Sequence, residues 1–398
     1  MSFGSPTLTS GAKGRAAIPA NTSRIIQIAK KMPTLYEDVA RLSSLTMKFS
    51  KKPVGDVAFG HNEQEPLPYL FTYSGATETS AGTTLTVANF TNGSALLQDD
   101  LLFNPRWDSL ERISISNDPT TTFTAIRNIE GGTGLLNNGD TLIRIGNARE
   151  EGSTAARASR MTTEEFKQFY LQCVNWTKAF TEPGIAAAQW NDPLRVNEHK
   201  KMMIEMKIDL ELLLYFGYSS ADIGGTTFGQ PTSYGLHQHA MAGGNVSTAS
   251  YMTFPEVENL LETPYNYGAT QGFVCACSPF IAKLFNGIAR GQTELSQAET
   301  SYGIRLKTLT TTFGDVDILP LPLLKGAHLK SIAWFIPKPM DEYIIHRFLS
   351  GNGENHDFQM FMNTQNKESQ RPQDEARTWM GYEFYENYKF AVMNRIVA

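Results

Sequence analysis

Residues 197–216, NEHKKMMIEMKIDLELLLYF, decide how the rest of the chain is read. The run holds no glycine and no proline. Val196, Met203, Met206, Leu210 and Leu213 recur along it at helical spacing, and Glu198, Lys201, Lys207 and Glu211 offer i,i+3 and i,i+4 charge pairs on the other face. Asp192 stands where an N-cap is needed, Pro193 at the first helical position, and Gly217 where the helix should stop. One amphipathic rod on the order of 35 Å long is therefore expected. Its methionine-rich stripe suits irregular packing better than a cofactor.

Downstream of this rod the order reads as α/β. A glycine-rich loop is expected from Ile223 to Gly244. Thr253 and Pro255 then open a short helix, FPEVENLLE, followed by GFVCAC as a strand and FIAKLFNGIA as a helix. GDVDILPLPLL and IAWFIP are apolar strand-like runs, and YEFYENYKFAVMNRIVA is expected to close the chain as a strand. Upstream, MTTEEFKQFYLQCV (161–174) reads as a helix, with Thr162 and Glu165 as a capping box ahead of Phe166, Phe169, Tyr170 and Val174.

Before that lies a stretch of different character. From Pro53 to Phe166 there is no lysine, while threonine, serine, asparagine and glycine are dense. The alternating runs TTLTVA (83–88), RISIS (112–116), TTFTAI (121–126) and DTLIRI (140–145) are separated by Asn92-Gly93, Asp118-Pro119 and Asn138-Gly139. Alternation broken by turn dipeptides predicts short half-buried strands, so this is a β-rich module. A short helix is expected near TLYEDVARL (34–42). The first 36 residues carry Lys13, Arg15, Arg24, Lys30 and Lys31 and no acidic residue, which reads as an extended basic arm. Nucleic acid, an acidic neighbouring subunit or plain solvent are its three candidate partners.

The whole chain has 398 residues, 41% hydrophobic and 19% charged, with a formal net charge of -5. That length gives a prior of two to three domains and a large core, and that balance excludes both a disordered chain and a strongly basic nucleic-acid binder. Cys173, Cys275 and Cys277 cannot all pair; Cys275 and Cys277 lie two apart, on one face of a strand, and are expected as reduced structural thiols. No apolar run approaches a membrane span, and the first residues lack the apolar core of a secretory signal.

A search for chemistry returns little. GGTGLL at Gly131 lacks the third glycine and the following helix of a dinucleotide loop, and neither GxxxxGK[ST], GxSxG, HExxH nor paired CxxC occurs. His237-Gln238-His239 sits among glycines without a carboxylate cluster, so packing or surface histidines are expected. Glu150-Glu151 and Glu164-Glu165 are adjacent carboxylates that point apart, and Cys173 has no positioned histidine. Trp176, Trp190, Trp334 and Trp379 are scattered and read as packing anchors. No catalytic, cofactor-binding or metal-binding residue is assigned.

The order of elements resembles the major capsid proteins of tailed bacteriophages, the Hong-Kong-97-like coat fold. A basic N-terminal arm precedes a two-stranded excursion beginning near KPVGDVAFGHNEQEPLPYLF, then a β-rich insertion, one long spine helix and an α/β section with a closing strand. The blocks GDTLIRIGNAREEGS, MTTEEFKQFYLQCVNWTKAF and NEHKKMMIEMKIDLELLLYFG resemble a subfamily whose extended loop carries an inserted β-domain.

The resemblance implies an α+β capsid fold: an arm over 1–50, an extended loop with the inserted β-domain over 51–160, a peripheral domain over 161–267 with its spine helix at 192–216, an axial domain over 268–340 and a C-terminal part of the peripheral domain over 341–398. It also implies a structural protein without an active site or cofactor, assembling as pentamers and hexamers of an icosahedral shell in the host bacterial cytoplasm. Its partners would be its own copies, double-stranded DNA on the inner face, a separate scaffolding chain, a portal and a decoration protein. Some members of the wider fold join subunits through a lysine on the extended loop; the lysine-free run removes that nucleophile, so non-covalent shells are expected. Two other readings stand beside this one: an encapsulin-like nanocompartment shell, and a carbohydrate-active hydrolase.

Overall fold

The computed structural model describes residues 40–46, 51–79, 83–106, 111–117, 119–127, 129, 134–152, 159, 162, 164–186, 193–225, 229–292, 296–297, 307–351, 354–365, 371–394 and 396. They fall into two compact units, one of Met1–Gly60 with Gln168–Ala398 and one of His61–Lys167. Lys13, Arg15, Arg24, Lys30, Lys31, Trp190 and Asp192 lie outside the described residues, as does most of TLYEDVARL; the helix found there is Arg41–Thr46.

The first unit is built on a seven-stranded mixed sheet in the order Val246–Ser247, Ala391–Met393, Ala333–Pro337, Phe273–Cys277, Gly314–Pro320, Lys307–Thr311, Ser296–Gln297. Phe273–Cys277 pairs parallel with Gly314–Pro320 and antiparallel with Ala333–Pro337. All five residues of Phe273–Cys277 and of Ala333–Pro337 are buried, because both sheet faces are covered. Phe273, Cys275, Cys277 and Phe335 face a core closed by the helices Phe254–Asn266 and Pro279–Gln292. Val274, Ala276, Trp334 and Ile336 face the core that contains the spine helix. The expected cap is present: the Thr253 hydroxyl accepts from the Glu256 amide.

The spine helix runs Leu194–Phe216, 23 residues, with Pro193 at the cap position rather than the first turn, and ends at Gly217. Its buried stripe is Met202, Met206, Leu210, Leu214 and Tyr215, whereas Val196 is exposed. Glu211, assigned from sequence to the solvent side, is fully buried. The stripe is therefore rotated from the one the sequence suggests, since Glu211 lies one turn before Tyr215 on the inward face.

Three expectations are corrected. The segment 161–174 is not a helix: Glu165–Tyr170 pairs with Ala58–Glu63, and Gln172–Ala179 pairs antiparallel with Gln373–Phe384 from Gln172↔Met380 to Ala179↔Gln373. Eight ladder positions outweigh a capping box. Within the expected loop 223–244 a helix, Leu236–Ala242, forms directly after Gly235, because Leu236 and Ala240 lie one turn apart and both reach the core. The closing segment is divided: Gln373–Phe384 ends in one sheet, and Ala391–Met393 joins the other after a turn at Asn387–Lys389.

Gln373–Phe384 belongs to a six-stranded sheet. Lys52–Val54 runs parallel to Ile344–Gly351, which pairs antiparallel with Gln373–Phe384, which in turn carries Gln172–Ala179. The short strands Glu354–Asn355 and Gln359–Phe361 attach to it.

The second unit contains an antiparallel sheet, here the insert sheet, in the order Leu70–Thr72, Thr141–Asn147, Asp100–Asn104, Glu111–Ile115, Thr122–Ile126, Thr84–Thr86. Each of the four alternating runs supplies one of these strands. Phe71, Tyr73, Phe90, Leu102, Ile113, Phe123 and Leu142 form its core. Turns sit at Asn92 (φ 59°) and Gly139 (φ 91°), as the dipeptides predict.

Candidate functional site

The spine helix is fastened along its length. At its C-terminal half the Glu211 carboxylate accepts the Leu42 amide at 2.8 Å, the Ser43 amide at 2.5 Å and the Tyr215 hydroxyl. Burial pushes the Glu211 carboxyl up, and these hydrogen bonds offset part of that push. The helix Arg41–Thr46, the first described element after the basic arm, is thereby pinned by its first amides to the spine.

At the other end Asp374, fully buried on Gln373–Phe384, is the acceptor for four donors. Arg195 reaches it through Nε at 2.6 Å and through a second, closer guanidinium nitrogen; His199 Nε2 lies at 2.7 Å and the Asn363 amide at 3.0 Å. Burial pushes this carboxyl up, yet Arg195, the Asn363 amide and His199 outweigh it and hold the group at about 2. Between the two ends Trp176 Nε1 donates to Asp209 at 2.6 Å, and Lys178 pairs with Glu205 at 2.8 Å. These contacts fix the rod against Gln172–Ala179 and Gln373–Phe384. An open groove of about 390 Å³ remains beside them, lined by Val174, Leu212, Leu213 and Phe216.

The sequence-selected histidines are packing groups. His237 Nδ1 accepts from Trp334 Nε1 at 3.3 Å, and burial lowers its pKa. His239 lies against Phe384 and Phe390, with ring centroids at 5.0 and 4.6 Å, and its Nε2 sits 3.3 Å from the Tyr385 carbonyl. The carboxylate doublets do not converge on anything: Glu150 and Glu151 are exposed, Glu164 accepts from Asn62 at 2.8 Å, and Glu165 pairs with Lys167 at 2.7 Å. Cys173 is exposed on Gln172–Ala179, with its thiol pushed up by partial burial against the opposing pull of Arg377. Cys275 and Cys277 are buried on one sheet face. Trp176 and Trp334 are in the core beside the spine.

Two further charged arrangements were not legible from sequence. In the second unit Arg127 forms a buried pair with Glu111, Nε to Oε1 at 2.5 Å and Nη2 to Oε2 at 2.8 Å, and also donates to the Thr79 carbonyl at 3.3 Å. In the first unit His346 is 1% exposed, neither ring nitrogen has a hydrogen-bond partner, and the nearest Asp357 carboxylate oxygen stands 3.9 Å away. Burial, then Lys51, lower its pKa to about 4 against the opposing pull of Asp357. Lys51 itself pairs with Asp357 at 2.7 Å.

Of the residues missed, Glu211 carried a signal, its one-turn offset from Tyr215 in an otherwise apolar stripe. Asp374 carried none, since its side-chain partners His199 and Arg195 lie 175 and 179 positions away. The arrangement as a whole braces a rod between sheets. Among the described residues no group of three or more His, Cys, Asp or Glu is placed to hold a metal ion, and no helix is long and apolar enough to cross a membrane.

The sequence profile of the SU10 major capsid protein family matches residues 21–340. No curated protein matches. Solved structures similar to the chain include Mycobacterium phage Adephagia, at 9% identity and a TM-score of 0.49 over 96% of this chain and 98% of that one. The capsid of a native GTA particle gives 9% identity and 0.48 over 94% and 96%. The holo-SrpI encapsulin complex from Synechococcus elongatus PCC 7942 gives 12% identity and 0.45 over 59% and 78%.

Proposed function

The chain belongs to the SU10 major capsid protein family, and from that premise we propose that its copies close, as pentamers and hexamers, into an icosahedral shell around packaged double-stranded DNA. It is a phage structural shell protein of the virion capsid, and its family is a structural one. The observation that carries the reading is a family match that begins at residue 21 and runs through the β-rich unit and the spine helix to residue 340.

The physical features suit that role. A tile in a shell needs a stiff body, and here the spine is held by ion pairs and hydrogen bonds at both ends and between them. Individual contacts between copies can be modest, because a closed lattice makes them cooperative. In this proposal 1–50 is the arm, 51–160 the extended loop with its β-domain, 161–267 and 341–398 the peripheral domain and 268–340 the axial domain. Lys13, Arg15, Arg24, Lys30 and Lys31 face DNA phosphate or a neighbouring copy. A separate scaffolding chain, a portal and a decoration protein are the further partners, assembly takes place in the host cytoplasm, and the protein catalyses no reaction. The family match favours this reading over a nanocompartment shell and over a hydrolase.

Expression of the full chain, alone and with candidate scaffolding chains, followed by negative-stain microscopy tests the proposal. Uniform closed shells are expected. A chain that stays a single subunit at every concentration and with every helper overturns it.

A further inference from the structure

His346 sits in a row that crosses three strands of the six-stranded sheet. One position before the pair Lys52↔Arg347, Lys51 lies beside it, and its antiparallel partner on the other side is Tyr382. The ring is 1% exposed and 5.5 Å from the Tyr382 ring, and neither of its nitrogens nor the Tyr382 hydroxyl has a hydrogen-bond partner among the described residues. Buried polar groups are normally paired, so this row is poorly satisfied while the histidine is neutral. The Asp357 carboxylate stands near both cationic candidates: Lys51 Nζ reaches it at 2.7 and 3.1 Å, and His346 Nε2 lies 3.9 Å from its Oδ1. We propose that Lys51 and His346 are alternative partners of Asp357, and that a proton taken up by His346 moves this carboxylate from Lys51 to the imidazolium and loosens the strand Lys52–Val54.

Among the described residues no second carboxylate is placed to receive an imidazolium. Tyr382 stays a neutral phenol, because burial and Glu211 push its hydroxyl up. Glu211 itself is taken by the Leu42 and Ser43 amides and the Tyr215 hydroxyl. Arg347 and Glu383 pair with each other at 2.5 Å and, as the next positions along their strands, point to the opposite face. Of the helices packed on Ile344–Gly351, Arg41–Thr46 turns Arg41 to the Pro320 carbonyl, and Asp341 and Glu342 of Met340–Tyr343 are exposed. Next to Asp357, His356 is engaged by Gln359 and Glu354.

Burial decides which cation yields. The Lys51 and Asp357 side chains are 31% and 25% exposed, so Lys51 can swing into water at little cost. A protonated His346 cannot, and a buried charge without a counter-ion is the costlier arrangement. Closing from 3.9 Å to hydrogen-bond distance requires a shift of about 1 Å. The strand that loses Lys51 is lightly held: Lys52–Val54 lies at the edge of the sheet and meets it through three register pairs with Arg347–Leu349. Burial, then Lys51, hold the histidine at about 4, below its ordinary 6.5, so the exchange is absent at neutral pH and sets in as pH falls through about 5. The chain passes from this strand into the second unit at His61, so the proton acts on one of that unit's two connections.

The test reads free subunits of the full chain, so it stands whether or not shells form. Hydrogen exchange, corrected for the intrinsic rate, is followed at about pH 7 and about pH 4.5 for peptides over Lys52–Val54 and over Gln172–Ala179, at the other end of the same strand order. The first should exchange at least about fivefold faster at the lower pH, and the second should change less than about twofold. His346→Phe should abolish the difference. In histidine-labelled protein the His346 titration midpoint, assigned by the signal lost in His346→Gln, should rise in Lys51→Met and fall in Asp357→Asn. Both of these substitutions fall on partly exposed side chains, so they decide the matter if His346→Phe does not fold. An acid response that persists in His346→Phe, equal acceleration of both strands, or a midpoint that stays put in Lys51→Met overturns the proposal.

Discussion

Glu211 accepts the backbone amide of Ser43 at 2.5 Å across 168 residues of chain, and no water-exposed surface is left on either residue's polar contact. Replacing the carboxylate with Glu211→Leu keeps the volume but strands two amides and the Tyr215 hydroxyl. A loss of about 3 kcal/mol is expected, since each buried unpaired donor costs roughly 1–3 kcal/mol. Glu211→Gln, which keeps an acceptor oxygen, should lose less. Urea unfolding of unassembled subunits measures both.

His346 gives the first unit an acid-sensitive element. Its folded pKa of about 4 lies below the ordinary 6.5, so the unfolded chain binds more protons between those values. Stability from this residue is full above pH 6.5 and is lost as pH falls toward 4. Between pH 7 and pH 5 the difference is about 2 kcal/mol. His346→Phe should flatten the melting-temperature profile over that interval; an unchanged slope would count against the assignment.

Asp374 acts at lower pH and with the same sign. Its folded pKa of about 2 lies below 3.8, so its contribution is present above 3.8 and disappears as pH falls toward 2. Asp374→Asn weakens the attachment of Arg195 and His199 and should cost about 2 kcal/mol at pH 7. Denaturant midpoints of variant and wild type should converge near pH 2.

Gly235 and Gly217 meet backbone to backbone. A Cβ on Gly235 would lie 2.4 Å from the Gly217 amide nitrogen and 2.9 Å from its Cα. Neither atom is a movable side-chain tip, so Gly235→Ala should destabilise the chain by about 2 kcal/mol or more, read as a lowered melting temperature.

The lysine-free run from Pro53 to Phe166 gives a prediction about particles. Boiling purified shells in detergent should release single chains on a denaturing gel. A ladder of linked subunits would show a covalent fastening that uses some other nucleophile.

Much of the candidate site was hidden from a reading of the sequence, and the reasons are particular. Glu165–Tyr170 and Gln172–Ala179 carry apolar residues at helical spacing, and nothing local announces that Ala58–Glu63 and Gln373–Phe384 will claim their backbones. Asp374 reads as an ordinary surface aspartate until Arg195 and His199, a helical turn apart on the spine, arrive beside it. His346 falls in a run that gives no hint that its ring will be sealed in.

Sequence alone determined the spine helix to its end at Gly217, four of the six strands of the insert sheet with the turns at Asn92 and Gly139, the shared face of Cys275 and Cys277, and the resemblance to phage coat proteins. Those are properties of periodicity and turn chemistry, which act over a few residues. Tertiary structure decided which way the spine faces, that 161–174 is extended, and where Glu211, Asp374 and His346 find or lack partners. A buried charge is satisfied by whatever groups the fold brings to it: for Glu211 these include amides 169 and 168 positions away, and for Asp374 the side chains of Arg195 and His199, 179 and 175 positions away.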